Sequence, residues 1–392
     1  MHICHIVLNN IGGAPKVADS LISSQSKAGY EVSTVVLTVL ESRWIVSFKA
    51  AKTVIVMKVA GTLFIIGGMI HQIWVAIKLS GVIAEQKPDI IVCHSAFITK
   101  LFYLSKFIPG SFSVPYISYI HSDYISESQV KCKTNSISAL IQNLFISLAS
   151  RIDMLALQQA SGLIFVCNSL YQRLANIGLK HHRIVISYNP AIDEISNQPL
   201  HPTAKSWFNN SQLITFVCAS RFHHQKDHKT LLKAFAKVSE NHLNIRLILL
   251  GEGDLETEIQ ALAKFLDIDE IVLFAGSVLN PRAYFSLSRA VILASHFEGL
   301  PLVLVEAVAS GVTFIATDCP VGPREISEVL KCGTIIPPSN VDALAAAIID
   351  HVKTPQENIE RSEQIAQLFS AASCAERLEV LIEQVISKVS IN

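Results

Sequence analysis

The sequence predicts an α/β protein of two doubly wound, Rossmann-like parallel sheets in series. Short apolar runs alternate with longer helical patterns through most of the 392 residues, as in parallel sheets covered on both faces. The alternation breaks once, at residues 189–210, which are rich in Pro, Asn and polar residues and read as a linker. A chain of this length holds two or three domains of about 150 residues. The division is therefore residues 1–190 and 191–392.

In the first half the strand-like runs are Ile3 to Leu8, Val32 to Val39, Ile90 to Cys93, Tyr116 to Ile120, Leu163 to Cys167 and Ile184 to Ser187. In the second they are Leu213 to Cys218, Arg246 to Leu250, Ile271 to Phe274, Val291 to Ala294, Thr313 to Ala316 and Gly333 to Ile336. From about residue 341 the pattern is helical. These C-terminal helices either pack outside the second sheet or return to the first domain. Two such domains leave a cleft at the carboxyl ends of their strands, where open α/β sheets bind ligands.

Composition excludes disorder and collagen, since 50% of residues are hydrophobic and 16% charged. So few charges imply an apolar exterior somewhere, as at a membrane or a large interface. The formal net charge of zero hides a division: residues 1–190 hold 16 Lys and Arg against 8 Asp and Glu, and residues 191–392 hold 16 against 24. A basic half points to an anionic partner. Eight scattered cysteines without a CxxC pair read as reduced core residues. The opening MHICHIVLNN reads as a first strand rather than a signal peptide, and the expected location is cytoplasmic.

Residues 59–77, VAGTLFIIGGMIHQIWVAI, carry no formal charge. Their glycines, the His-Gln pair and a position between two strands of one sheet argue against a span. A helix lying in the membrane interface fits better, with Lys58 and Lys78 at its ends and Trp74 near one of them. A second apolar stretch, Ile137 to Leu157, carries Arg151 and Asp153 and is open to the same role.

The most specific chemical signal is VILAS-HFEGLPLVLVEAVASG. A strand ends near Ser295, Pro301 opens a helix at its first position, and Gly311 follows the last turn. The Gly-Leu-Pro turn places free N–H groups at a helix N-terminus, which is a diphosphate site. Glu298 precedes that helix and Glu306 lies within it. Acids near phosphates need hydroxyl partners, which sugar and ribose would supply. Two glutamates eight apart also occur by chance on surface helices, but Glu306 sits among apolar neighbours.

The loop after the strand Leu213 to Cys218 carries Arg221 and Lys226, two cations able to neutralise a departing nucleoside diphosphate. His223, His224, Asp227 and His228 in that loop suggest a metal site, which is rejected for want of a second ligand cluster. In the first half, the strand Tyr116 to Ile120 ends at His121, which is placed to meet a sugar hydroxyl or an acceptor. The NNIGGAPK turn has Gly12 and Gly13 but not the dinucleotide fingerprint, so no NAD is expected.

Together these residues resemble the retaining glycosyltransferases of family 4, glycosyl transferases group 1, which have the GT-B fold. The resemblance rests on IGGAPKVADSLISSQSKAGYEVSTVVL, SYIHSDY, GLIFVCNSLYQRL, ISYNPAID, the Arg221/Lys226 loop, LLGEGDLETEIQALAKFLDIDEIVLFAG and EGLPLVLVEA with TDCPVGPREI. It implies that the second domain binds a nucleotide sugar, a UDP-sugar, with Glu306 on the ribose and Glu298 on the donor sugar. Gly299, Leu300, Pro301, Leu302 and Val303 would offer backbone groups to the sugar and phosphates. Arg221 and Lys226 would form the phosphate pair, His121 would contact the donor sugar, and Gly13 would sit in a loop over the diphosphate. No metal or other cofactor is implied.

Two departures stand out. Asp227 follows the loop lysine where the family often has glycine, and Pro15 and Lys16 replace a usual Glu and Arg. The activity implied is transfer of a hexose or N-acetylhexosamine to a lipid-linked or lipopolysaccharide glycan, as in O-antigen or capsule assembly, at the inner face of the cytoplasmic membrane and without nucleic acid. A non-catalytic scaffold on this fold, or a nucleotide-sugar epimerase, is the alternative; an acceptor-dependent product separates transfer from both.

Overall fold

The computed structural model describes residues 1–9, 13–39, 48–59, 68–108, 114–122, 150–191, 199–354 and 363–389. The chain divides into two compact units, Met1–Pro190 with Ser370–Asn392, and Ala191–Phe369.

The first unit holds one sheet of seven strands: β1 (His2–Asn9), β2 (Glu31–Val39), β3 (Thr53–Val59), β4 (Ile90–Cys93), β5 (Tyr116–Ile120), β6 (Gly162–Phe165) and β7 (Ile184–Ile186). Their order is β3-β2-β1-β4-β5-β6-β7, and every pairing is parallel. The second unit has β8 (Ile214–Ala219), β9 (Ile245–Leu250), β10 (Val272–Gly276), β11 (Ala290–Leu293), β12 (Phe314–Thr317) and β13 (Thr334–Ile336) in the order β10-β9-β8-β11-β12-β13, again all parallel. The predicted doubly wound class is therefore the observed one. In each sheet the first strand sits inside and the winding reverses beside it. The switch points lie between β1 and β4 and between β8 and β11, where such folds bind ligands.

Strands buried on both faces read as continuous apolar runs, and β4, β5, β6, β11 and β12 are buried throughout. β3 is absent from the predicted strands. It is the edge strand of its sheet, and Val54 and Val56 point outward. Residues 59–77 are not one helix: Val59 ends β3, and the helix runs Gly68–Gln86. Of the second apolar stretch, residues 137–149 lie outside the described ones. Asp153 within 150–158 is buried and ion-paired to Lys100 at 3.1 Å. No helix among the described residues is long and apolar enough to cross a membrane.

The linker region contains the helix Pro202–Asn209, capped by the His201 ring, and residues 192–198 of it lie outside the described ones. The last helix, Ala371–Val389, belongs to the first unit. Cys374, Leu378, Leu381, Ile382 and Val385 recur at helical spacing and are buried. Leu381 comes so close to Gly162 of β6 that a Cβ there would meet its methyl at 2.9 Å.

Candidate active site

In the second unit the site grows from the switch point. β8 delivers Ser220 to Asp227 and β11 delivers Ala294 to Pro301, both at carboxyl ends. The loops are laced together: the His296 N–H donates to Gln225 O at 2.8 Å, and Gln225 Nε2 donates to Phe297 O at 2.8 Å. This brings Lys226 Nζ within 2.5 Å of Glu298 Oε1. Glu298 is 7% exposed and also accepts from the Ser295 hydroxyl at 2.6 Å. A buried carboxylate is tolerable only when paired and hydrogen-bonded, and here it is both. Its charge and burial push the nearby Cys319 thiol up, burial being the larger cause.

Asp227 occupies a left-handed conformation, φ 44° and ψ 47°. Glycine suits that geometry without strain, and Asp is among the few other residues that accept it. Asp227 adds a function glycine lacks: it caps the helix His228–Ser239, accepting from the N–H of Thr230 at 3.2 Å and from its hydroxyl at 2.7 Å. The departure from the family pattern is thus self-compensating.

His224 and His228 do not share a helical face, because His224 opens a single turn of 3-10 helix and His228 starts the following α-helix. His228 is buried against Ser220 Oγ at 3.1 Å, and burial, then the Lys226 charge, lowers its pKa to about 4. No group of three His, Cys, Asp or Glu side chains able to hold a metal lies among the described residues.

Arg221 is exposed and makes no ion pair among the described residues. Its loop is pinned by Gly251, where a Cβ would meet Ser220 O at 2.2 Å. The helix after the Gly-Leu-Pro turn is Leu302–Ala309, with Pro301 at the capping position rather than the first helical one. No side chain caps it, and the N–H groups of Leu302 and Val303 precede the first intrahelical bond. Leu302, Val303 and Glu306 share the half-buried stripe of this helix, and their neighbours are buried. Gly322, after β12, packs on the Gly299 carbonyl and the Pro301 ring. The second unit therefore brings Lys226 and Glu298 into contact, and carries Arg221, Gly299 to Val303 and Glu306 on neighbouring loops and one helix.

In the first unit, His121 follows β5. Gly13 is exposed at the start of the helix Gly13–Lys27, where an added Cβ would find no atom within 4 Å, and residues 10–12 of its turn lie outside the described ones. His121 is not alone. Its Nε2 meets His94 Nδ1 at 3.2 Å, His94 Nε2 meets His5 Nδ1 at 2.8 Å, and His5 Nε2 meets Gln25 Oε1 at 2.7 Å. Asn189 Nδ2 reaches His121 Nδ1 at 3.4 Å. Burial lowers the pKa of His5 to about 4 and of His121 to about 3, and pushes that of His94 well below the usual value. His5 and His94 are absent from the sequence-predicted site. The available signal was His5 in the middle of the central strand β1, flanked by Cys4 and Ile6, since a buried polar side chain there demands a partner.

Two family models cover most of the chain: Glycosyltransferase Family 4 matches residues 11–194, and Glycosyl transferases group 1 matches residues 203–367. The chain belongs to the family 4, group 1 glycosyltransferases. The chain is 28% identical over 254 residues to a glycosyltransferase of Methanocaldococcus jannaschii, covering 64% of this chain and 60% of that one. It is 27% identical over 212 residues, 54% of each chain, to the Campylobacter jejuni N-acetylgalactosamine-N,N'-diacetylbacillosaminyl-diphospho-undecaprenol 4-alpha-N-acetylgalactosaminyltransferase. The chain thus spans a little over half the length of these curated relatives. Among solved structures, Anabaena HepE in complex with UDP superposes with a TM-score of 0.72 at 16% identity, over 98% of this chain and all of that one. The fold of the chain is GT-B.

Proposed function

We propose that the protein is a retaining glycosyltransferase that moves a hexose or N-acetylhexosamine from a UDP-sugar to a lipid-linked or lipopolysaccharide glycan. The observation that carries this is the second unit's switch point, where Lys226, Glu298 and an uncapped helix N-terminus converge. Lys226, Arg221 and the N–H groups of Leu302 and Val303 supply fixed positive charge for a leaving diphosphate. Glu298 and Gly299 to Pro301 meet the donor sugar, and Glu306, one turn into the same stripe, meets the ribose. The UDP bound to HepE supports the choice of nucleotide.

In this structure Lys226 is neutralised by Glu298. A bound diphosphate competes for the ammonium and frees the carboxylate to accept a sugar hydroxyl. The acceptor hydroxyl attacks the anomeric carbon on the face where the bond to the diphosphate oxygen breaks and passes its proton to that departing oxygen, so the configuration is kept and no protein nucleophile is needed. With two side-chain cations and the helix end in place, no divalent cation is required; turnover should persist in EDTA. In the first unit, His121 and Gly13 lie just beyond the carboxyl ends of β5 and β1, where such sheets meet ligands, and the family resemblance makes His121 a donor-sugar contact.

The acceptor reading rests on the basic, apolar first half and on the undecaprenol-linked substrate named for the Campylobacter relative. It is supported by the helix Gly68–Gln86, whose outward face carries Ile73, Trp74 and Ile77 at 45–50% exposure, with Lys78 over the Trp74 ring at 5.3 Å. Such a face suits the headgroup boundary of an anionic membrane. Trp74→Ser should cut binding to vesicles containing phosphatidylglycerol by about tenfold.

The test is mass spectrometry of wild type and Glu298→Gln with UDP- and GDP-sugars and an undecaprenyl-linked or lipopolysaccharide acceptor extract. A glycosylated lipid formed by wild type alone supports transfer and names the sugar. Nucleotide binding without any product from any donor overturns it in favour of a scaffold.

A further inference from the structure

The first unit's switch point, between β1 and β4, holds a polar chain of which the proposed reaction uses only His121 directly. Five side chains contribute: Gln25 from the helix Gly13–Lys27, His5 from the middle of β1, His94 just beyond β4, His121 just beyond β5 and Asn189 beyond β7. His5 and Gln25 are fully buried, and His94 and Asn189 nearly so. The rings lie nearly parallel, with His5 and His94 at 5.1 Å, His94 and His121 at 5.5 Å, and Tyr119 stacked on His121 at 4.5 Å.

Hydrogen-bond direction along this chain is set from both ends. Gln25 presents an oxygen to His5 Nε2, so that nitrogen carries the proton and His5 Nδ1 accepts. His94 Nε2 must then donate to His5, which leaves His94 Nδ1 to accept from His121 Nε2. His121 Nδ1 is left as an acceptor, and at the far end Asn189 presents an N–H to that atom. One tautomer for all three rings satisfies every link, with no ring charged, and burial disfavours the charged form of each. The reverse direction requires both amides to turn over and three ring protons to move together.

We propose that His5 and His94 are positioning residues for His121: the chain from Gln25 to Asn189 fixes the His121 tautomer, so that Nδ1 meets a ligand hydroxyl as acceptor. The link from Asn189 is the longest of the four, at 3.4 Å, so it is the one a ligand O–H replaces. The ring nitrogen is then offered to a donating hydroxyl and cannot serve one that must accept. The ligand half of this inference rests on the reading of His121 as a donor-sugar contact; the tautomer half does not.

The experiment is long-range proton–nitrogen correlation NMR on the full chain with nitrogen-15 histidine, in wild type, His94→Gln and His94→Phe. Wild type should show His5, His94 and His121 each as a single neutral tautomer protonated at Nε2. The glutamine amide keeps one acceptor and one donor in the link, so His94→Gln should hold the His121 tautomer, whereas His94→Phe should leave a mixture and raise the donor KM about tenfold. A His121 protonated at Nδ1 in wild type, or one unchanged in a folded His94→Phe, overturns the proposal; if His94→Phe fails to fold, the wild-type and His94→Gln spectra decide. Titration with UDP-glucose tests the ligand half separately: a shift at His121 Nδ1 supports it, and none overturns that half while leaving the tautomer assignment standing.

Discussion

Replacing Gly322 by alanine tests how the Gly299–Pro301 turn is held. Gly322 adopts φ 97° and ψ −67°, a region that side-chain-bearing residues rarely enter, at a cost of about 1–3 kcal/mol. The added Cβ would stand 2.1 Å from the Gly299 carbonyl oxygen and 2.6 Å from Pro301 Cδ, and contacts under 3.0 Å do not survive in real proteins. The turn must therefore yield by nearly an ångström, in the segment that leads into the helix Leu302–Ala309. A displacement of about 1 Å in a positioning element can cost about 100-fold in rate. For a unit of this size the strain alone should lower Tm by about 2–12 °C. Thermal unfolding, UDP calorimetry and transfer rates measure the three consequences. Gly13→Ala is the control for stability, because no atom lies within 4 Å of its added carbon, and its Tm should move by no more than about 2 °C. If Gly322→Ala kept both the wild-type Tm and kcat/KM, the packing of the β12 loop on the Gly299–Pro301 turn would have no part in holding the donor.

Lys226→Ala should weaken UDP binding and reduce kcat by about 100-fold or more, as removal of a preorganised charge at a leaving group does; calorimetry with unaltered affinity and an unaltered rate would remove Lys226 from the mechanism. His5 is buried and neutral with a pKa of about 4 against an ordinary 6.5. Above pH 6.5 neither folded nor unfolded His5 is protonated, while below it the unfolded chain takes up the proton first. His5 should therefore contribute about 3 kcal/mol to the loss of stability between pH 6.5 and 4, beside the losses from buried His94, His121 and His228, read as a urea midpoint that declines less steeply in His5→Gln. Lys100→Met strands the buried Asp153 and should cost about 3–5 kcal/mol, whereas adding Asp153→Leu should restore most of it, as denaturant titration of the three proteins will reveal.

The fold was legible because its strands are apolar on both faces and punctuated by turns. Where those conditions fail, so does the reading. β3 exposes Val54 and Val56 at a sheet edge, so it lacks the doubly buried apolar signature of the other strands, and the uncharged segment that starts at its last residue, Val59, reads as one helix although the helix begins at Gly68. The Glu298 loop and its helix were legible because glycine, proline and acid occur together in a pattern that only a helix N-terminus explains, although Pro301 sits one position earlier than expected. The contact of Lys226 with Glu298 was not, since 72 residues separate them and only the adjacency of β8 and β11 joins their loops. His5 and His94 were hidden for the same reason: 89 residues separate them, and their relation exists only once β1 lies beside β4.

That Ala371–Val389 belongs to the first unit bears on how the protein is made. The second unit is one uninterrupted stretch and can complete itself while the ribosome is still working. The first unit cannot. Its sheet leaves the ribosome early, but the helix that covers Gly162 is translated some 180 residues after Pro190, a delay of roughly 10–40 s at ordinary bacterial and eukaryotic speeds. The first unit is therefore finished after the second although its sheet is made before it, and it waits with an apolar face uncovered until Ala371–Val389 emerges.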